Sequence, residues 1–515
     1  MNKQFWLSLV LVFCVASFIS FFYVGNLPLL DPDEPVYAET AREMMQYYDY
    51  ISPRIYHEFW YDKPPMYYWL VAGAFKTFGV GEFAARFPSA LLAVAGTLLV
   101  YLGGRKLFNN RAGLLAALVL ATSMEYFYLA KAAVTDITLT FFLTAALLAF
   151  WDKRYYLFYT CCALAVLTKG PIGVVFPAVI GLLYLLMTRS LAEIKKMKVI
   201  SGSMLFGVVA IPWYAAMVHY HGQAFIDTFL GFHNVTRFLQ PEHANGVLWY
   251  YYIPVLIIGF FPWTAFMPQA LYAAIRQQGE ADGKPVLFLT IWAVVVFLFF
   301  SVSQTKLISY ILPMYPALAL LTGWYIDKIW AQDNRKAFLV AAGLLTLIII
   351  IVASAFVYGV QQIPALLFGA QLAGAVFSLV PVLVWWMVIK RSYQQALAAQ
   401  VAGMILFVII LMTSLFPAAA SGFSMREFSS YFKEQYDGQA PVYITKFYRP
   451  GFMFYTGMPG QEFKGTSDLA EAIQGNQKVY FIIPNKEYER LAPEVKSRLV
   501  PLNVVEDKIL LLKNK

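Results

Sequence analysis

The chain has 515 residues, of which 60% are hydrophobic and only 13% are charged, against roughly 25% charged residues in an average soluble domain. This balance excludes a soluble fold and indicates an integral membrane protein. The formal net charge of +9 does not indicate a nucleic-acid partner, because membrane proteins concentrate Lys and Arg in their cytoplasmic loops and the chain carries no nucleic-acid motif.

Apolar blocks recur along the chain with lengths near the roughly 20 residues that a helix needs to cross a bilayer. The charged segments between them are short. The blocks predict a polytopic α-helical membrane protein with about thirteen transmembrane helices. Their centres lie near residues 15, 95, 120, 143, 162, 180, 208, 260, 294, 317, 347, 378 and 408.

Groups of Lys and Arg occur in alternate short loops that all lie on the side of the N-terminus, as in 105–111, 195–198 and 335–336. This side is therefore predicted to be cytoplasmic. Because the predicted number of spans is odd, the C-terminus is expected on the opposite side of the membrane.

The character of the chain changes near residue 420. Residues 1–420 are predicted to form a transmembrane catalytic domain with outer loops at 25–85 and 218–250, far longer than a connection of about 2 to 8 residues. Residues 421–515 are polar and predict a small extracytoplasmic α/β domain. Its expected strands follow 441–445, 478–484 and 508–512, around a helical pattern from Asp468 to Ile473.

The first outer loop carries two neighbouring carboxylates, Asp33 and Glu34, between Pro32 and Pro35. The prolines predict that both acids lie just before an amphipathic helix. A carboxylate placed there can serve as a general base, orient a nucleophile or bind a metal. The alternative is that Asp33 only caps the helix.

Further along the same loop, Asp62 and Lys63 stand between aromatic residues and two prolines. A lysine in such a rigid segment is suited to bind a phosphate as a point charge. The neighbouring Trp60 and Trp69 have an alternative interpretation as an interfacial aromatic belt.

Three short outer turns each contain one lysine, Lys131, Lys169 or Lys306, against the positive-inside bias. Together they favour an anionic ligand, although each could be a lysine that extends from a helix end to the interface. Asp136, at the start of the fourth span, is predicted on the same face as Asp33. It could share a site with Asp33 or form a structural ion pair with Lys131 or Lys169.

The second outer loop contains His233 and Arg237. The guanidinium of Arg237 offers a fork that can bind phosphate through two hydrogen bonds. His233 by itself favours a structural role over a catalytic one.

Taken together, these segments resemble the bacterial lipid A aminoarabinose transferase family and, more broadly, the protein O-mannosyltransferase-like glycosyltransferases of the GT-C fold. The resemblance covers essentially the whole chain. It depends on the order and spacing of several motifs: Asp33-Glu-x-x-Tyr-Ala-Glu, Asp62-Lys-Pro, Asp136, Thr168-Lys-Gly-Pro, 234–238 before Trp249-Tyr-Tyr-Tyr-Ile-Pro, and Lys306-Leu-x-x-Tyr-Ile-Leu-Pro.

The resemblance implies a bacterial inner-membrane enzyme with a periplasmic C-terminus. Such an enzyme transfers a sugar, with inversion, from undecaprenyl phosphate to lipid A, another glycan or a protein. The sugar expected is 4-amino-4-deoxy-L-arabinose or a related pentose or hexose. Val36 stands where family members often carry Arg, and Asp62 where they carry Glu, and both departures bear on substrate identity.

The resemblance also implies roles for individual residues. Catalysis is expected from Asp33, Asp136 and Glu34, and binding of the donor phosphate from Lys63, Arg237, Lys169 and Lys306. Contacts to substrate are expected from Tyr37, Tyr310 and His233. No cofactor is required, although Asp62 and Asp136 could hold a divalent metal such as Zn, Mg or Mn.

The alternatives to this enzyme are a protein O-mannosyltransferase-like enzyme acting on proteins, a lipid or glycan transporter, and a scaffold for assembly. A transporter often shows repeated halves and ionisable residues near mid-membrane. The Asp33-Glu34 loop is not repeated, and the candidate charges lie at the outer ends of predicted helices. The sequence therefore favours the enzyme.

Overall fold

The structure is a computed structural model that describes residues 3–236, 239–240, 248–276, 282–360, 364–463, 469, 473 and 477–513. The chain forms two compact units. We call Met1–Phe22, Tyr61–Tyr67 and Arg86–Met412 the helical unit, and Tyr23–Trp60, Tyr68–Ala85 and Thr413–Lys515 the mixed unit.

Long apolar runs with few breaking residues make most of the described chain helical. The α-helices are, in chain order, α1 Lys3–Phe21, α2 Asp33–Gln46, α3 Met66–Phe78, α4 Glu82–Leu107, α5 Asn110–Ala121, α6 Met124–Ala130, α7 Asp136–Trp151, α8 Tyr155–Lys169, α9 Ile172–Met187, α10 Val199–Phe225, α11 Tyr252–Gly259, α12 Met267–Arg276, α13 Gly283–Val302, α14 Tyr315–Ala331, α15 Arg335–Val360, α16 Leu367–Ile389, α17 Tyr393–Ile410, α18 Phe416–Ala420, α19 Arg426–Gln435, α20 Arg449–Thr456, α21 Asn485–Glu489 and α22 Pro493–Lys496. Short 3₁₀ or π segments are Leu191–Lys196, Ile226–Thr236, Trp263–Ala265, Ile308–Met314, Pro364–Leu366, Leu411–Leu415 and Ser421–Phe423.

Within the described residues, seven helices are long and apolar enough to cross a membrane, and an eighth span arises if α5 and α6, bent by 66°, are counted as one. The predicted span centres fall on helices, except the one near 260. That centre falls at the break between α11 and the 3₁₀ segment Trp263–Ala265. The polytopic α-helical fold is thus confirmed.

The second long outer loop, predicted at 218–250, begins as helix. The helix α10 continues to Phe225 and is followed directly by the π-helix Ile226–Thr236. Gly222, with a positive φ of 55°, breaks the helical geometry within α10, so two helical segments meet at a kink there.

The helices α5 and α14 pack closely in the helical unit. A side chain at Gly323 would collide with the backbone of Ala116, so glycine permits this approach. At the start of α5, the Asn109 side chain accepts hydrogen bonds from the backbone N–H of Arg111 at 2.9 Å and donates one to Asp327 at 2.7 Å. Arg111 also forms an ion pair with Asp327. These contacts fix the two helices to each other.

A five-stranded sheet forms the C-terminal part of the mixed unit, with strand order β4-β3-β5-β7-β6. Strand β3 is parallel to β4 and β5, whereas β7 is antiparallel to β5 and β6. A separate hairpin joins β1 and β2. The strands are β1 Arg54–Ile55, β2 Glu58–Phe59, β3 Val442–Thr445, β4 Gln461–Phe463, β5 Val479–Pro484, β6 Val500–Val505 and β7 Lys508–Lys513.

The three predicted strands are confirmed as β3, β5 and β7, whereas β4, β6 and the β1–β2 hairpin were missed. The missed strands are short or largely exposed, so they lack the apolar runs of β5 and β7. Phe428 and Phe432 of α19 pack on one sheet face with Ile444, Tyr480 and Leu510. Most of the predicted helical pattern Asp468 to Ile473 lies outside the described residues.

The first outer loop belongs to the same unit as this sheet. The guanidinium of Arg42 on α2 donates hydrogen bonds to the carbonyl oxygens of Phe454 at 2.9 Å and Met453 at 3.1 Å, both on α20. The backbone N–H of Leu29 donates to the Tyr455 hydroxyl at 2.8 Å. The sequence-based division at residue 420 did not anticipate this association.

Candidate active site

The carboxylates of the first outer loop lie at the start of α2. The N-terminal cap is Pro32, so Asp33 and Glu34 are the first two helical residues, and the expectation that both precede the helix is wrong. Proline takes this position readily because its missing N–H would have no helical partner there. The Asp33 side chain is exposed. The helix dipole favours the ionised form of a carboxylate at this end.

Glu34 differs from Asp33 in its surroundings. It is buried, and its Oε2 accepts a hydrogen bond from the backbone N–H of Leu30 at 2.9 Å. This contact closes the turn that leads into α2. The geometry gives Glu34 a role in shaping the turn, while its expected catalytic role stays a prediction.

Asp31, in the same turn, contacts α20. Its carboxylate is buried and accepts a hydrogen bond from the backbone N–H of Gly451 at 2.7 Å. Burial raises the pKa of Asp31 well above its usual value, although this hydrogen bond acts to lower it. A side chain at position 451 would collide with the Asp31 carboxylate. The glycine is therefore needed for the contact that fixes the turn.

The buried face of α2 carries further acids. Glu39 forms an ion pair with Arg42 at 2.7 Å, yet burial raises the pKa of Glu39 to about 7. Glu43 accepts a hydrogen bond from the backbone N–H of His57 at 3.0 Å. Tyr37 is buried with its ring centroid 5.8 Å from that of Tyr68. The sequence analysis proposed Tyr37 as a substrate contact, and that role stays a prediction.

Asp62 and Lys63 form an ion pair in the helical unit. The distance from Lys63 Nζ to Asp62 Oδ1 is 2.8 Å, and each side chain is only 14% exposed. Pro64 and Pro65 separate the pair from the start of α3 at Met66. Lys63 is thus a partly buried, ion-paired cation, and its expected role in binding the donor phosphate stays a prediction.

Asp136 and Lys169 come from different helices and meet at their ends. Asp136 begins α7, Lys169 ends α8, and Lys169 Nζ lies 2.6 Å from Asp136 Oδ1. The Lys169 ammonium also lies 4.8 Å from the ring centroid of Tyr310, in the 3₁₀ segment Ile308–Met314. The Asp62 carboxylate is near enough to act electrostatically on Lys169. The fold therefore brings together charged side chains from segments that are far apart in sequence.

The two other outer lysines are buried as well, so neither extends to the interface. Lys131 Nζ donates hydrogen bonds to the carbonyl oxygens of Phe22 at 2.6 Å and Ser20 at 3.3 Å. Lys306 Nζ donates to the carbonyl oxygen of Ser303 at 2.7 Å. Asp136 forms its ion pair with Lys169, and its expected catalytic role stays a prediction.

Two residues proposed for the second outer loop have no described side chain. Arg237 lies outside the described residues. His233 belongs to the π-helix Ile226–Thr236, but only its backbone is described. Their expected roles in binding phosphate and substrate stay predictions.

The carboxylates proposed as metal ligands are each paired with a lysine, Asp62 with Lys63 and Asp136 with Lys169. In the described part of the chain, no group of three or more His, Cys, Asp or Glu side chains could hold a metal ion. The divalent metal expected at Asp62 and Asp136 stays a prediction. The reaction is considered below in terms of the protein's own side chains.

Known proteins resemble the chain along most of its length. The family model for dolichyl-phosphate-mannose-protein mannosyltransferase matches residues 62–215. An uncharacterized protein of Aquifex aeolicus is 33% identical over 336 residues, which cover 65% of this chain and 76% of the relative. The undecaprenyl phosphate-alpha-4-amino-4-deoxy-L-arabinose arabinosyl transferase of Edwardsiella ictaluri is 29% identical over 389 residues, covering 71% of this chain and 68% of the relative. The chain belongs to the family of polyprenyl-phosphate-sugar glycosyltransferases.

Solved structures show the GT-C fold of the family. ArnT from Cupriavidus metallidurans, bound to undecaprenyl phosphate, superposes with a TM-score of 0.83 over 99% of this chain and 98% of that protein, at 21% identity. The oligosaccharyltransferase of Archaeoglobus fulgidus superposes with a TM-score of 0.53 over 94% of this chain and 70% of that protein, at 13% identity. Among the curated relatives, another Aquifex aeolicus protein is matched over only 65% of its length. Activity, substrates and partners of the whole protein are therefore treated as proposals.

One buried pair beside the site was missed by the sequence analysis. Tyr315, the first residue of α14, donates a hydrogen bond to Glu125 on α6. A side chain at Gly259 would collide with both groups. Since Tyr315 directly follows the 3₁₀ segment that carries Tyr310, this pair fixes that segment against α6. An acid within an apolar block was the available signal, because such residues are rarely without a role.

Proposed function

We propose that the chain transfers a sugar from undecaprenyl phosphate to an acceptor at the periplasmic face of the membrane. The observation that carries this proposal is the cluster of Asp62, Lys63, Asp136, Lys169 and Tyr310 in the helical unit. Two partly buried lysines suit the phosphate of a lipid-linked donor, because a low dielectric strengthens their attraction for its charge. The fold is that of an ArnT whose structure contains undecaprenyl phosphate.

In the proposed reaction, an oxygen of the acceptor attacks the anomeric carbon on the face opposite the phosphate. The new carbon–oxygen bond forms as the bond to the phosphate oxygen breaks, and the phosphate leaves with the electron pair. Lys63 and Lys169 stabilise the charge that develops on the leaving phosphate. Asp136 holds the Lys169 ammonium in position through their 2.6 Å contact.

The role proposed for Asp33 depends on the acceptor. If the acceptor is a hydroxyl, Asp33 removes its proton as the bond forms, whereas an already ionised phosphate acceptor needs Asp33 only for positioning. The exposure of Asp33 leaves its carboxylate accessible for either role.

The donor sugar and the acceptor are proposed from the relatives. Several of them are named as transferases of 4-amino-4-deoxy-L-arabinose from undecaprenyl phosphate. We infer the same or a related sugar for this chain, with lipid A or another periplasmic glycan as acceptor. The assay must distinguish these acceptors from a protein acceptor.

The proposed orientation places the N-terminus in the cytoplasm and the C-terminal sheet in the periplasm of the bacterial inner membrane. The alternating distribution of Lys and Arg supports it. We expect that protease added to intact spheroplasts removes a tag at the C-terminus. Protection of that tag, with cleavage only after lysis, would contradict the orientation.

The function is tested with purified protein, a short-chain polyprenyl-phosphate sugar, and lipid A or a peptide as acceptor. We expect transfer to lipid A and a phosphate-terminated polyprenyl product. For Lys63→Ala we expect a donor KM about 10- to 100-fold higher, because a charge-assisted hydrogen bond contributes about 1.5–3 kcal/mol.

The matched control is Lys76→Ala, which removes an exposed lysine of α3 that lies over the Tyr50 ring. It should leave the donor KM unchanged. An unchanged donor KM for Lys63→Ala would contradict the phosphate role, and transfer to peptide alone would favour a protein acceptor. Loss of transfer in EDTA, with recovery on adding Zn, Mg or Mn, would support the predicted metal.

A further inference from the structure

Basic residues cluster around the start of α8, at the opposite end of this helix from Lys169. Few carboxylates lie near enough to neutralise their charge. Three other basic residues on the predicted cytoplasmic side have carboxylate partners: Lys106 lies 2.6 Å from Asp152, Arg111 pairs with Asp327, and Arg391 pairs with Asp333. Around the start of α8, Glu193 alone serves both Lys153 at 3.3 Å and Lys196 at 2.8 Å. Across the described chain, no carboxylate lies within ion-pair distance of Arg154 or Lys198.

The two unneutralised cations line a shared cavity of about 290 Å³. Arg154 precedes α8 and Lys198 precedes α10, so the cavity lies where these two helices begin. The Lys198 ammonium lies 4.5 Å from the ring centroid of Tyr156, which also lines the cavity. Lys198 is the N-cap residue of α10 with a positive φ of 52°, and its ammonium has no acceptor for the first N–H groups of the helix. The first N–H groups of this helix thus add positive potential.

The close approach of the two helix starts is built into the sequence. A side chain at Gly202 would overlap the ring of Tyr159 on α8. The Tyr156 hydroxyl lies 3.3 Å from the Ser201 hydroxyl of α10. These contacts keep Arg154 and Lys198 on one cavity.

A separate apolar cavity of about 410 Å³ is lined by residues of the same helices, α8 and α10, together with α9. Lys198 lines the basic cavity and the next residue, Val199, lines the apolar one. Likewise, Leu157 lines the basic cavity and Phe158 lines the apolar one. Leu182 and Val199 are 48% and 44% exposed, so this cavity opens toward the surrounding lipid. Its lining includes Phe150, Phe158, Cys162, Pro177, Leu182 and Phe206.

We propose that the two cavities together bind one anionic glycerophospholipid of the cytoplasmic leaflet. Its phosphodiester lies between Arg154 and Lys198, and one acyl chain follows the apolar cavity. Arg is suited to phosphate through paired hydrogen bonds, and basic pockets between transmembrane helices on the cytoplasmic side bind anionic headgroups. A nearby apolar cavity favours a lipid over a free anion, which would leave that cavity without a ligand.

This lipid site is distinct from the proposed donor site. The 15 residues of α8 separate Tyr155 at the basic cavity from Lys169 at the active-site cluster, a distance of about 22 Å along the helix. A lipid bound there fixes the start of α8 without touching the donor. The site thus goes beyond the proposed transfer activity.

The test measures lipid binding to the purified full-length protein by native mass spectrometry, with phosphatidylglycerol or phosphatidylcholine of matched acyl chains. We expect wild type to prefer phosphatidylglycerol, and Arg154→Gln/Lys198→Gln to bind it about 30-fold more weakly, from about 1 kcal/mol for each basic residue. A second variant, Ala178→Phe, fills the apolar cavity without changing charge and should also weaken binding. The control Lys336→Gln/Lys390→Gln removes two cations from the same predicted side and should bind as wild type does.

Equal affinity of wild type for the two lipids would overturn the proposal. The proposal would also be overturned if inorganic phosphate displaced the lipid and Ala178→Phe had no effect on lipid binding. The site would then recognise a free anion only. Tighter binding of undecaprenyl phosphate with the same dependence on Arg154 and Lys198 would overturn it in favour of the donor lipid. Since binding is measured without acceptor or transfer, failure here is distinguishable from failure of the proposed function.

Discussion

With an acceptor that reacts through a hydroxyl group, Asp33→Asn is expected to lower the rate of sugar transfer at least about 100-fold, while the protein remains folded in the membrane. A general base contributes about 10²- to 10⁴-fold to a rate, and Asn cannot accept the acceptor's proton. The Asp33 side chain is exposed in the first turn of α2, so its replacement by an isosteric amide should alter the unfolding temperature little. The measurement is kcat with a saturating donor, alongside thermal unfolding in detergent.

The matched control for Asp33 is Glu427→Gln, which also neutralises an exposed carboxylate in the first turn of a mixed-unit helix, α19. This variant should retain wild-type kcat. Asp33→Glu should recover part of the activity, because it restores the carboxylate at a slightly different distance. Near-normal turnover by Asp33→Asn would exclude the catalytic assignment of Asp33.

The second large effect is expected at the Asp136–Lys169 pair. Lys169→Met leaves the Asp136 carboxylate, only 9% exposed, without its cation. Removing one partner of a buried pair costs about 3–5 kcal/mol, because the remaining charge is uncompensated. We therefore expect Lys169→Met to lower the unfolding temperature clearly and to abolish measurable transfer.

The double variant Asp136→Asn/Lys169→Met separates stability from function. It leaves no unpaired charge, so most of the lost stability should return, as measured by thermal unfolding. Transfer should remain lost, because the cation proposed to stabilise the leaving phosphate is still missing. Wild-type transfer by the double variant would show that the pair is only structural.

The sequence predicted the membrane architecture well because hydropathy depends on residue composition over a window and needs no knowledge of partners. The positions of the helices, including α7 and α8 with Asp136 and Lys169 at their ends, follow from it. The same holds for β5 and β7, whose apolar runs are buried in the sheet. The largely exposed strand β6 was missed because Pro501 and Asn503, both common in turns, interrupt its apolar residues.

Partner choice could not be read from the sequence. Lys131 and Lys169 were equal candidates for the ion pair with Asp136, and only the packing of α7 against α8 selects Lys169. Lys131 is held instead by the carbonyl oxygens of Phe22 and Ser20. The glycosyltransferase family, by contrast, was correctly inferred from the order of short motifs, since these survive when overall identity is low.

The sequence by itself determined that this is a polytopic membrane protein with charged residues at the ends of its helices, because burial of long apolar segments in lipid permits few other folds. The tertiary structure decided which of those residues act together. It distinguished the exposed Asp33 from the buried Glu34 beside it, and placed the Asp31 carboxylate on the Gly451 N–H. Such differences depend on long-range packing, which sets burial and hydrogen bonding for each side chain separately.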